Sequence, residues 1–158
     1  MTSFYYLILI FIAFNNLNDT TYQKAYYNNG NIASEGWIKN NKKEKYWKFY
    51  YDNGKIKKEG HFSNNNPVEY WYFYAQNGLK EKEGHYANGQ KTNWWVFYNN
   101  LGQVNHKCQL KFNKKNGYCL MYKNQKIVSA SKYVDGKKIK AWHNLKDFKK
   151  ENNLLNLR

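Results

Sequence analysis

Proline occurs once in this chain, cysteine twice, and carboxylates are scarce, with 11 Asp and Glu against 26 Lys and Arg. Two cysteines, Cys108 and Cys119, make neither a disulfide framework nor a four-ligand zinc site. No G-x-S-x-G, H-E-x-x-H or P-loop pattern occurs, and the glycines are spread singly rather than gathered into a phosphate cradle. These absences leave no catalytic residue, metal site or cofactor to name, and they point to no small-molecule substrate. The shortage of acid leaves a formal charge of +15, which favours an acidic partner.

What is present is aromatic: 16 Tyr, 9 Phe and 6 Trp among 158 residues, in a background of Lys, Asn and Gly. Disordered chains are poor in such residues, so this composition reads as β-strands joined by turns. The length suits one structural unit.

The aromatic residues recur every 24 positions. Trp47, Trp71 and Trp95 form one column, with Gln23 before and Cys119 after; Phe49, Phe73, Phe97 and Met121 form a second. Tyr26, Tyr50, Tyr74, Tyr98 and Tyr122 form a third, and Gly30, Gly54, Gly78 and Gly102 align as well. So do Glu35-Gly36, Glu59-Gly60 and Glu83-Gly84. One residue is lost near Gln125, which brings the next tryptophan to Trp142. The first three units have an Asn-Gly turn between two alternating segments, a strong hairpin signal, whereas Asn124 to Lys126 replaces it in the last. With Asn53-Gly54 as a two-residue loop, Trp47 should face Gly60, Phe49 should face Lys58 and Tyr51 should face Ile56. Lys48 should then oppose Glu59 as a charge pair, and Gly60 should leave room for an indole.

A lone hairpin is marginal in water, so the unit needs neighbours that share its aromatic columns. The expectation is an all-β, elongated single-sheet array of about five stacked hairpins over residues 22–141. Residues 142–158 follow, with Leu145, Phe148, Leu154, Leu155 and Leu157 among charges, as either a short amphipathic helix over the last hairpin or a frayed tail. Residues 1–21 precede it. Their run Phe4–Phe14 is uncharged, too short to span a bilayer and the length of a signal-peptide core, although no Lys or Arg precedes it. The leading reading is export or envelope anchoring; a capping strand is the alternative, with a cytoplasmic protein.

The skeleton W-x-F-Y-x-x-N-G-x-x-x-x-E-G-x-[FY], strongest from Trp47 to Tyr98, is similar to the MORN-type repeat, especially its bacterial variant in YwqK-family antitoxins. The resemblance implies an elongated, twisted sheet used for contacts with other macromolecules, and an antitoxin or immunity role as one alternative.

Equivalent histidines of the repeated Glu59-Gly60-His61 and Glu83-Gly84-His85 lie two strands apart, about 10 Å, too far to share one ion. The candidate binding residues are Lys48, Tyr50, Lys55, Lys57, Tyr74 and Tyr98, for an unidentified protein with an acidic surface, and the hairpin register puts Lys48, Lys55 and Lys57 on one face of the second unit. A membrane surface is a further option. Tyrosines beside lysines can also stack bases, but rings in strict register usually signal sheet packing, so nucleic acid ranks last. Cys108 and Cys119 fall in slots that should be cross-strand neighbours, which allows a disulfide in an exported protein and otherwise two buried thiols.

Overall fold

The computed structural model describes residues 19–152, and the run Phe4–Phe14 and the three leucines beyond Asn152 lie outside them. Eleven strands follow in chain order: β1 (Thr21–Tyr26), β2 (Ile32–Lys39), β3 (Lys42–Tyr50), β4 (Ile56–Ser63), β5 (Asn66–Tyr74) and β6 (Lys80–Ala87), then β7 (Gln90–Tyr98), β8 (Val104–Lys111), β9 (Lys114–Lys123), β10 (Lys126–Val134) and β11 (Lys137–Trp142). Each pairs antiparallel with the next, giving one open, elongated sheet in strict sequence order. A short helix, α1 (Leu145–Glu151), closes the described chain. The repeat array expected from the columns is therefore the architecture found.

Two kinds of turn alternate along the sheet. The Asn-Gly row was expected to hold two-residue loops, and it does not. Gly54 N–H donates to Tyr51 O and Tyr51 N–H to Lys55 O, so the loop has three residues, with Gly54 alone in the left-handed region at φ 80°. That geometry pairs Tyr50, not Tyr51, with Ile56 and leaves Lys57 as an extra residue in its strand. Trp47–Gly60 and Phe49–Lys58 pair as expected. The opposite row uses two-residue turns such as Asn40-Asn41 and Asn64-Asn65, with both residues left-handed, which asparagine tolerates best after glycine.

A further bulge sits two residues before each position of the tryptophan column: Lys45, Glu69, Asn93 and Gly117 all have positive φ. It lets the indole swing back over the preceding strand. Trp71 Nε1 donates to His61 O and Val68 O at 3.1 Å each, and its ring covers Gly60. The glycine therefore does make room for an indole, but for that of the next hairpin, not for Trp47 across its own turn. Trp47 covers Gly36 and Trp95 covers Gly84 in the same way. Trp71 and Trp95 are 2% and 0% exposed although, among the described residues, no second layer covers this face of the sheet. Phe49 and Phe73 flank Trp71 at 6.4 and 6.1 Å, while Phe62 meets it edge-on at 5.0 Å.

At the C-terminal end the column breaks twice. Cys108 and Cys119 occupy a glycine slot and a tryptophan slot, pair directly across β8 and β9, and are joined as a disulfide. Then β11 lacks the left-handed bulge, so Trp142 pairs with Ala130, and Ala141 takes its place opposite Ser131. A one-residue slip moves a side chain to the other face. Trp142 accordingly packs with Leu120, Ala130 and Phe148 on the reverse of the sheet. There α1, capped by Asn144 whose side chain accepts from Asp147 N–H, buries Phe148 completely.

Candidate functional site

The pleat sorts the chemistry onto two faces. On one, which we call the tyrosine face, Tyr50, Tyr74 and Tyr98 each donate the phenol to a carboxylate of the preceding repeat: Glu35 at 2.5 Å, Glu59 at 2.9 Å and Glu83 at 2.6 Å. Lys48 stands between Glu35 and Glu59 across its two neighbouring strands, the register expected for it, but the Glu59 carboxylate takes the Tyr74 hydroxyl. Positive and negative groups alternate here, so the face carries no unbalanced strip of charge.

Burial pushes the phenols of Tyr50, Tyr74 and Tyr98 well above their ordinary value, and the bonded carboxylates add to it. Burial, then the charges of Glu59 and Glu83, push Tyr46 and Tyr70 up to about 12. A phenol whose folded pKa exceeds its unfolded one supports folding fully below the unfolded value, near 10, and loses that support as pH rises through the folded value. Stability is therefore expected to fall above about pH 10 as these five phenols ionise. Lys58 and Lys91, depressed by burial, work in the opposite direction but are fewer. Urea titrations at stepped pH check this, and Tyr74→Phe should flatten the alkaline slope.

The other face carries the indoles and phenylalanines, capped by lysines. Lys43 lies 5.1 Å from the Trp47 ring, Lys58 4.6 Å from Phe49, Lys82 5.1 Å from Phe73, Lys91 4.6 Å from Trp95 and Lys115 5.0 Å from Tyr133. Such contacts bury the lysine stem and leave the ammonium at the surface. Burial, and then the charges of Lys57 and Lys43, hold the Lys58 ammonium below its usual range; burial and Lys82 do the same to Lys91. Glu81 is the acidic neighbour on this side, beside Lys57, Lys58 and Lys82 near the Asn-Gly turns.

The six candidate residues are thus divided. Lys48, Tyr50, Tyr74 and Tyr98 share the tyrosine face, where the phenols are engaged internally. Lys55 was expected beside Lys48; instead it reaches along the turn row and donates to Asn77 O at 3.2 Å. Lys57, expected there too, lies 5.4 Å from the Tyr51 ring, because its extra place in the strand takes it out of simple alternation. Simple alternation missed Lys58, Lys82 and Lys91 as a set. Their signal was present: Lys58 and Lys82 are one period apart, next to the phenylalanine column. His61 and His85 meet Tyr46 and Tyr70 edge-on at 4.9 and 4.7 Å, and His61 also lies 3.1 Å from Glu69.

No protein-family model matches the chain, and no curated protein does. Among solved structures, the crystal structure of accessory secretory protein 1, 2 and 3 in Streptococcus pneumoniae is similar over 64% of this chain, at 17% identity and a TM-score of 0.38. This chain spans 19% of the length of that one. A likeness of that extent bears on neither function nor compartment. Among the described residues, no helix is long and apolar enough to cross a membrane.

Proposed function

We propose that the protein is a non-enzymatic, MORN-like repeat scaffold that binds an acidic protein through its lysine-capped aromatic face, working at the cell envelope or outside the cell. The observation that carries this reading is the unequal balance of charge between the faces. Glu35, Glu59 and Glu83 are bonded to tyrosines on one side, while Lys43, Lys58, Lys82, Lys91 and Lys115 stand over rings on the other. Lys58 and Lys82, and again Lys91 and Lys115, stand one period and so two strands apart, about 10 Å, which suits an extended carboxylate-rich partner rather than a point ligand. Compartment rests on Phe4–Phe14, and mass spectrometry of the native protein tests it: a start beyond Phe14 or membrane-fraction recovery is expected, and intact chain in the cytosol alone would contradict export.

The binding test uses poly-glutamate as the probe. Replacing Lys58 and Lys82 together with Gln should weaken binding by about tenfold or more, and raising salt from ~0.1 to ~0.5 M should do likewise, since exposed charges are screened within roughly 10 Å at 0.1 M. The fold should persist, because Gln keeps much of the stem. Tighter, charge-dependent binding of single-stranded DNA or of anionic vesicles would replace the acidic protein with those partners.

A further inference from the structure

At the C-terminal end of the aromatic face the sheet forms a cleft. Its origin is the double break in the tryptophan column: Cys119 fills one indole slot, and the slip in β11 puts Ala141 in the next. Two large rings are missing side by side, and a cleft of ≈ 370 Å³ opens where they would lie. That is within the size range, roughly 300–1,000 Å³, of small-molecule sites.

We infer that this cleft binds the phosphate group of a small phosphorylated molecule. The donors come from three neighbouring strands: Lys115 from β9, Ser129, Ser131 and Tyr133 from β10, and Lys138 from β11. Tyr133 pairs directly with Lys138 and carries the Lys115 ammonium over its ring, so the two cations approach the β10 hydroxyls from opposite sides. No Asp or Glu lines the cleft, so nothing there repels an anion. A carboxylate offers two oxygens in a plane, whereas donors converging from both sides and from the floor suit the several oxygens of a tetrahedral phosphate.

His106 also lines the cleft, stacked on Phe97 at 4.4 Å. The disulfide and Met121 supply an apolar wall beside the donors, where the organic part of a phosphomonoester would lie.

The test is calorimetric titration of the oxidised full chain with inorganic phosphate, glucose 6-phosphate and glucose. Saturable one-site binding is expected for both phosphates, tighter for the sugar phosphate, and none for glucose. Lys138→Gln should weaken it about tenfold, the scale of one charge-assisted contact. Ala141→Trp, which refills the slot, should abolish it, and Ser131→Ala serves if that variant fails to fold. Lys58→Gln, at the far end of the same face, should leave phosphate affinity unchanged while weakening poly-glutamate, which separates this site from the proposed protein-binding face. Absence of saturable phosphate binding, or an equal loss with Lys58→Gln, would overturn the inference. Binding of inorganic phosphate with exclusion of the sugar phosphate would overturn its organic half.

Discussion

Trp71→Ala is expected to lower the unfolding free energy by about 3–5 kcal/mol, the range for a fully buried large aromatic. Gly60→Ala should cost about 2–3 kcal/mol although it adds one methyl group. A β-carbon on Gly60 would sit 2.4 Å from Cδ2 of the Trp71 ring, and the ring cannot retreat while Phe62 and Phe73 hold its edges. The two changes should not add. Once the indole is gone the extra methyl meets nothing, so the double variant should resemble Trp71→Ala alone, with a coupling of about 2 kcal/mol. Denaturant unfolding of the four proteins checks this, and additive losses would mean that indole and glycine do not touch. The coupling matters because the two residues belong to different repeats, so it measures directly how one hairpin depends on the next.

Breaking the disulfide should cost about 3 kcal/mol by loop-closure entropy for a span of 11 residues. The comparison to make is Cys108→Ala with Cys119→Ala against Cys108→Gly with Cys119→Trp. The second pair rebuilds the indole-over-glycine contact of the earlier repeats. Its supports are in place: the left-handed bulge at Gly117, Phe97 and Met121 in the phenylalanine column, and Leu110 in the position of Phe62 and Tyr86. It should recover most of the loss, in reducing and oxidising buffer alike. A rescue variant no more stable than the alanine pair would show that the disulfide does not stand in for an indole.

The columns made the array legible because a 24-residue period with an Asn-Gly turn leaves few alternatives to consecutive hairpins, and Trp47, Phe49 and Gly60 fell into their true register. Irregularities stayed hidden because their residues share no type. Lys45, Glu69, Asn93 and Gly117 adopt one backbone conformation with four different side chains, and the bulge forms before Cys119 as it does before an indole, so no residue type announces it. The slip in β11 was unreadable for the same reason: it follows from a bulge that Lys140 does not make. Helix α1 was one of two open readings, and Phe148 settles it by filling the space under Trp142. The candidate site was only partly legible. Residue types and the surplus of positive charge were legible, but assigning Lys55 and Lys57 to the face of Lys48 assumed unbroken alternation through a turn that holds three residues and a bulge.

The proposed recognition surface is the aromatic, lysine-capped face. Amine labelling with mass-spectrometric readout, in the presence and absence of poly-glutamate, tests it most directly, since each lysine reports its own face. Protection is predicted at Lys43, Lys58, Lys82 and Lys91, while Lys48 and Lys107, which pairs with Val96 in line with Glu83 on the tyrosine face, are labelled as in the free protein. Protection of Lys48 and Lys107, with the four lysines over the rings unchanged, would contradict it.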